Sequence, residues 1–440
     1  MGIPSVELWF DLSCPYAYLA SRRASSLGLP VDWRPMLLGG VFRGIGAGAG
    51  PMATLSPQKA AHNLRDMHRW AERFDAPFAM PTAHPMRTVR ALRTLLGVPR
   101  PLWPAAIEAL FAAYWQRSED VTSDAVIAAA LRDAAIPAAA ITAALAGADS
   151  DAIKDELRQR TDEAIGLGIF GAPAWVFRRP GAEGAGEPIL VWGQDRFPWL
   201  EAIARGWEPD IAPPPGGPRP FAITAPAPAA GGAPAHTLDV YVDIASPFAY
   251  LALTQLPAFE RAARVRIIPI LLGALFRDIG TPDVPLFSMP AAKLRYVTVE
   301  MQRWARWWGV PFATPLKFPQ RTITAQRLLV LATEESSAVA IALGIALGRA
   351  MWAERRDVAD PETLRAILVA QGLPPDWIER TAEPATKAAL AANTEAARQR
   401  GAFGVPTYVV DDHLLFWGQD RLDLVARALT GWVPVNERQA

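Results

Sequence analysis

Asp11-Leu12-Ser13-Cys14-Pro15-Tyr16-Ala17-Tyr18 holds the only cysteine in a chain of 440 residues. It returns, with serine in the cysteine's place, as Asp243-Ile244-Ala245-Ser246-Pro247-Phe248-Ala249-Tyr250. Before the first copy Val6, Leu8 and Phe10 alternate with Glu7, Trp9 and Asp11, and Leu238, Val240 and Val242 repeat the pattern before the second. A period of two predicts a strand with one face buried. After each strand a proline (Pro15, Pro247) stands at what would be the first helical turn, where its missing N–H costs nothing and its fixed φ suits the helix. Cys14 and Ser246 therefore fall at helix N-termini.

The echo extends outward. Second strands, Val31 to Met36 and Val265 to Ile270, lead into Met36-Leu-Leu-Gly-Gly-Val-Phe-Arg-Gly-Ile-Gly46 and Ile270-Leu-Leu-Gly-Ala-Leu-Phe-Arg-Asp-Ile-Gly280, identical at seven of eleven positions. That match establishes an internal duplication with a period of about 233 residues. In the helical stretch that follows, Met67, Trp70, Ala71 and Phe74, then Val297, Met301, Trp304 and Trp308, keep helical spacing, and the tryptophans among them are expected in the core. Alanine-rich helical sequence continues to about residues 165 and 400. Gly168-Ile-Phe-Gly-Ala-Pro173 and Gly401-Ala-Phe-Gly-Val-Pro406 then turn into apolar strands, and each half closes on Trp-Gly-Gln-Asp-Arg (192–196, 417–421) before a final helix. The expected division is a first domain over 1–210 with a helical insertion at about 50–165, a linker over 211–235, and a second domain over 236–440 with an insertion at about 285–400. The linker is rich in Pro, Ala and Gly, which bury too little apolar surface to offset their ordering entropy.

Charge is balanced, 44 basic against 44 acidic residues, without a like-charged block, which argues against a sequence-independent grip on nucleic acid. A small-molecule partner is expected instead. A lone cysteine excludes an internal disulfide. The histidines (His62, His68, His84, His236, His413) lack metal-ligand spacing, so no metal is expected. The N-terminal residues do not read as a signal peptide, and the longest apolar stretch, Ala338 to Gly348, is far too short to span a bilayer. A cytoplasmic protein is expected.

The order strand, helix, strand, helical block, strand, strand, helix is that of an α/β thioredoxin-like domain of the DsbA type, here twice. Such folds open their first helix with Cys-x-x-Cys. These halves read Cys14-Pro15-Tyr16-Ala17 and Ser246-Pro247-Phe248-Ala249, so neither can run intramolecular dithiol exchange. A serine hydroxyl at a helix N-terminus can, however, donate a hydrogen bond to the thiolate of another molecule. An external thiol is what such a site lacks.

The Asp-x-x-Ser-Pro-Phe/Tyr-Ala-Tyr-Leu motif, the Gly-Val-Pro-Thr turn and the Trp-Gly-Gln-Asp-Arg tail resemble 2-hydroxychromene-2-carboxylate isomerase and its relatives, the kappa-class glutathione transferases. The resemblance covers both halves and leaves out only the linker. It implies glutathione as cofactor and a catalytic role for Ser246 beside its thiolate, with Cys14 a departure at the matching place. It identifies Pro173 and Pro406 as cis-prolines facing the site, with Ala172 and Val405 offering their backbone to the cysteinyl part of glutathione. Gln194, Asp195, Gln419 and Asp420 resemble the clamp for the γ-glutamyl group, although an aspartate at a helix start is by itself an N-cap. Lys59 and Lys293 match positions that contact glutathione or a substrate carboxylate. The implied activity is cis-trans isomerisation of a ring-opened aromatic pyruvate through glutathione addition, as in the catabolism of aromatic compounds. The alternatives are a kappa-like transferase, a monothiol thiol-disulfide oxidoreductase using Cys14, and a non-catalytic glutathione-binding tandem module. The two halves are expected to pack as an intramolecular pseudo-dimer.

Overall fold

The computed structural model describes residues 5–179, 186–223 and 235–438, apart from 49, 51, 53, 54 and 283. Residues 224–234 of the expected linker lie outside the described residues. The chain forms two compact units. The first comprises Met1–Leu55, Asn63–Gly206 and Met289–Tyr296, the second Ser56–His62, Trp207–Ser288 and Val297–Ala440.

In chain order the first half runs β1 (Val6–Phe10), α1 (Pro15–Ala24), β2 (Val31–Pro35) and α2 (Leu38–Gly44). A helical block follows: α3 (Pro57–Arg73), α4 (Val89–Gly97), α5 (Trp103–Trp115), α6 (Asp124–Asp133), α7 (Ala138–Gly147) and α8 (Asp151–Gly166). It returns through β3 (Ala174–Arg179), β4 (Gly186–Trp192) and α9 (Phe197–Ala204). The second half repeats this with β5 (His236–Val242), α10 (Pro247–Leu253), β6 (Ala263–Pro269), α11 (Leu272–Asp278), α12 (Ala291–Trp308), α13 (Ile323–Glu335), α14 (Ser337–Trp352), α15 (Pro361–Ala370), α16 (Trp377–Arg380), α17 (Pro384–Gln399), β7 (Thr407–Val410), β8 (Leu414–Trp417) and α18 (Leu422–Ala428). Two α/β domains of the thioredoxin-like, DsbA type result, each with its helical insertion.

Each sheet has four strands, ordered β2-β1-β3-β4 and β6-β5-β7-β8. The central strand pairs parallel with the one before it and antiparallel with the one after. This order puts the end of β1 or β5, and the helix start after it, beside the turn that enters β3 or β7. Cys14 and Ser246 are thereby brought against the two Gly-x-Pro turns.

The alternation in β1 predicts one buried face, but all five residues of the strand are buried. Helices cover both sides of the sheet, and the polar Glu7 is accommodated because Arg34 (3.0 Å) and Arg178 (2.7 Å) neutralise it while Trp9 Nε1 donates at 3.0 Å. Asp239 is held likewise by Arg266 in the second unit. Trp70 and Trp308 are buried as their spacing predicts, whereas Trp304, and Phe74 on the first stripe, are half-buried. The part of the expected linker that is described packs on the second unit. Arg219 N donates to Trp307 O (2.6 Å), Phe221 N donates to the buried Gln255 Oε1 (2.7 Å), and Phe221 stacks on Phe259. No helix among the described residues is long and apolar enough to cross a membrane.

Candidate functional site

In the second unit Ser246 is the N-cap of α10, with an extended backbone (φ −95°, ψ 123°). Its Oγ accepts from Ala249 N at 3.3 Å, as a capping serine does, and donates to Val405 O at 3.3 Å. Val405–Pro406 is a cis peptide bond. The hydroxyl thus sits between a helix N-terminus and the turn, nearly buried at 6% exposure. A backbone N–H occupies one of its lone pairs, and its proton rests on Val405 O, the bond it would give up to donate elsewhere.

Cys14 occupies the same place at the start of α1 (φ −94°, ψ 114°) but makes no side-chain cap. Its Sγ donates to Ala172 O at 3.1 Å, again the residue before a cis-proline, Pro173. Burial pushes the thiol up to about 12, and the nearby Asp11 carboxylate adds to the rise, while the Ala17 and Tyr16 N–H groups oppose it. At pH 7 only about one molecule in 10⁵ would carry the thiolate. In this structure the Cys14 thiol is a hydrogen-bond donor to Ala172 O.

Beneath both residues lies an aspartate to which the sequence reading assigned no role. Asp11 Oδ1 accepts from Ser13 N (3.0 Å), Ser13 Oγ (3.1 Å) and Thr88 Oγ1 (2.6 Å), and Oδ2 accepts from Leu38 N (2.8 Å). Asp243 does the same with Ala245 N (2.9 Å), Thr322 Oγ1 (3.0 Å) and Leu272 N (2.9 Å). Burial raises both carboxyls and these donors pull them back. Each aspartate ties together the helix start, the entry to α2 or α11, and the loop of a further cis-proline, Pro85 or Pro319. The signal was present in the shared first letter of the quoted motif.

The glycine before each Ala172 or Val405 is set by close approach. A Cβ on Gly404 would lie 2.7 Å from Trp417 Nε1, and one on Gly171 3.0 Å from Trp192 Nε1. The Trp-Gly-Gln-Asp-Arg tail therefore packs directly behind the cis-proline turn. Within it Asp195 is paired with Arg196 at 2.7 Å and Asp420 with Arg421 at 3.1 Å. Neither aspartate is the N-cap, which falls on Arg196 for α9 and Arg421 for α18. Gly193 (φ +115°) and Gly418 (φ +105°) leave room for the aspartates, whose Oδ1 would meet an added Cβ at 2.6 Å in each unit. Gln194 and Gln419 are buried at 4% and 5% exposure, and Gln194 Nε2 finds no acceptor among the described residues. A buried amide donor left unmatched costs roughly 1–3 kcal/mol unless a ligand supplies the acceptor.

The two lysines fall in units that their sequence positions do not indicate. Lys59 lies within Ser56–His62, which belongs to the second unit, and its Nζ stands 5.3 Å over the Trp417 ring. His62, one turn on, meets the rings of Phe403 and Trp417. Lys293 lies within Met289–Tyr296 of the first unit, where Ala292 and Tyr296 pack with Phe170, and Tyr296 Oη accepts from Trp192 N at 2.8 Å. Among the described residues no cluster of His, Cys, Asp and Glu could hold a metal.

The chain is similar to known proteins. The DSBA-like thioredoxin domain family matches the chain twice, over residues 5–203 and 237–430. The 2-hydroxychromene-2-carboxylate isomerase of Sphingobium xenophagum is 30% identical over 198 residues, 43% of this chain and 95% of that protein. The isomerase of the same name from Pseudomonas putida is 31% identical over 199 residues, 44% of this chain and 93% of that protein. Glutathione S-transferase kappa 1 of Homo sapiens is 24% identical over 209 residues, 44% of this chain and 91% of that protein.

Proposed function

The chain belongs to the DSBA-like thioredoxin domain family, as a tandem duplicate in the group of 2-hydroxychromene-2-carboxylate isomerases and kappa-class glutathione transferases, and we propose that it is a glutathione-dependent isomerase acting on a conjugated aromatic acid. The observation that carries this reading is the Ser246 hydroxyl, capped by Ala249 N–H and resting on Val405 O beside cis-Pro406. Glutathione supplies, when bound, a thiolate that adds to a ring-opened substrate and departs again, so that a double bond turns as a single bond in between.

The residues present fit such a guest. The buried Gln194 Nε2 without an acceptor is suited to a carbonyl or carboxylate of the γ-glutamyl group. Asp195 and Asp420, although each faces an arginine, stand beside a helix start and would take its ammonium. Ala172 and Val405 present their backbone next to the cis-prolines, in the manner of an added strand. Ser246 would swing its proton from Val405 O to the thiolate, giving up one long hydrogen bond for a charge-assisted one. Lys59, in the unit of Ser246, and Lys293, in that of Cys14, would each serve as a cation for a carboxylate.

In the first unit the buried, protonated Cys14 favours a donor role over monothiol redox chemistry. Titration calorimetry of reduced glutathione into the wild-type chain, Cys14→Ala and Ser246→Ala tests the whole reading. Two sites per wild-type chain are expected, and no heat of binding in any form would remove it. Binding without turnover of chromene-type acids would instead favour a non-catalytic glutathione module.

A further inference from the structure

The loops ending in Thr88 and Thr322 are latched to the two sites through Asp11 and Asp243. Four residues before each threonine, ahead of a cis-proline, the halves differ: His84 stands in the first and Phe318 in the second. The same latch ties each loop to the strand end ahead of Cys14 or Ser246, so the exchange changes chemistry at matching places in the two halves.

In the second unit Phe318 packs at 5.6 Å on Trp352 and at 6.2 Å edge-on to Phe287. Trp352 stacks on Phe312 at 6.0 Å, and its Nε1 donates to Ile244 O at 2.7 Å, two residues before Ser246. An aromatic surface thus runs outward from the Ser246 segment. At its outer end Phe287 is 66% exposed, and Leu316 on the Phe318 loop is 83% exposed. Two large apolar side chains held in water on one rim favour whatever apolar surface covers them.

The first unit keeps the aromatic base and differs from the second on the loop that carries His84. Phe78 stacks on Trp115, whose Nε1 donates to Leu12 O, and Thr82 stands where the second half has Leu316. His84 lies 5.1 Å from Trp115, and its Nδ1 is 2.9 Å from Tyr114 Oη. Tyr114 Oη also accepts from Met86 N at 2.9 Å; in the tautomer in which its own proton goes to His84 Nδ1, the imidazole carries its proton on Nε2 and is a donor there. Burial lowers His84 and pushes Tyr114 up to about 12, keeping both groups neutral at physiological pH.

We propose that the two sites are specialised for different substrate surfaces, the second taking an apolar aromatic ring against Phe318 and Phe287, the first a substrate that offers His84 a hydrogen-bond acceptor. The proposal rests on reading both units as glutathione sites. It makes Phe318 and His84 the specificity-determining residues of the tandem chain.

Fluorescence titration of the full chain with 8-anilinonaphthalene-1-sulfonate, with reduced glutathione present, tests it. Phe287→Ala is a surface substitution, and Phe318→His copies the first unit. Each is expected to weaken probe binding at one site about five- to tenfold with glutathione affinity unchanged, and His84→Phe to tighten the probe at the other by a similar factor. Probe affinity that is indifferent to both Phe287→Ala and Phe318→His, in chains that melt and bind glutathione normally, overturns the proposal. If wild type binds no glutathione the isomerase reading falls, whereas the same probe titrations still decide whether the rims differ.

Discussion

Replacing Ser246 by alanine removes a helix cap and, on the proposed function, the donor to the thiolate, and the two effects can be measured apart. The two Oγ hydrogen bonds are both 3.3 Å, at the long end for such bonds, so the structural loss is modest. A serine N-cap is worth about 1 kcal/mol. In a unit of about 200 residues that lowers Tm by roughly 2–4 °C. A hydroxyl donating to a thiolate is worth more, about 1.5–3 kcal/mol, because the acceptor is charged. At 1.36 kcal/mol per pH unit, the thiol of bound glutathione should titrate roughly one to two units higher in Ser246→Ala. The measurement is the ultraviolet absorbance of the bound thiolate against pH, made in a Cys14→Ala background so that only Ser246 supplies a donor. S-methylglutathione, which has no thiol to ionise, should bind nearly as well to both chains. An unchanged titration midpoint, with the melting temperature lowered as expected, would show that Ser246 serves only as a cap.

Three further outcomes follow from the site's packing. Cys14 alkylation by iodoacetamide should rise tenfold per pH unit from pH 7 to 10 without a plateau and lie about a thousandfold below that of a free thiol near neutrality; a plateau near pH 8.5 would refute its burial as described. Because its folded pKa is raised to about 12, Cys14 destabilises the fold as pH climbs from about 9 toward 12 and contributes no pH dependence below that window. Gly404→Ala should cost about 1–3 kcal/mol in chemical denaturation and weaken glutathione binding, since its Cβ would come within 2.7 Å of Trp417 Nε1. Gly273→Ala, whose added methyl meets nothing within 4 Å, is the control, and equal stability of the two variants would contradict the packing.

Much of this molecule is written locally. The duplication, the strand-to-helix junctions and the placing of Cys14 and Ser246 at helix N-termini follow from short-range pattern, because a proline in a first turn and an alternating strand act over a few residues. The thioredoxin-like order of elements follows too, since each junction repeats at the same interval. Both Gly-x-Pro turns were recognisable from their sequence alone, and Ala172 and Val405 do accept from Cys14 and Ser246.

Other features needed the folded chain. The roles of Asp11 and Asp243 depend on donors as distant in sequence as Thr88 and Thr322, which no local pattern joins to them. The burial of Glu7 reflects helices on both faces of the sheet, which a strand's own alternation does not report. The pKa of Cys14 is set by how completely tertiary packing excludes water, so a helix N-terminus that should acidify a thiol is outweighed. Lys59 and Lys293 belong to compact units other than those their sequence positions suggest, because a compact unit is defined by what packs together. Sequence determined which residues stand at the two thiolate-supporting positions, through local backbone rules. The tertiary structure decided what surrounds them, because desolvation and long-range hydrogen bonds exist only once the chain has closed.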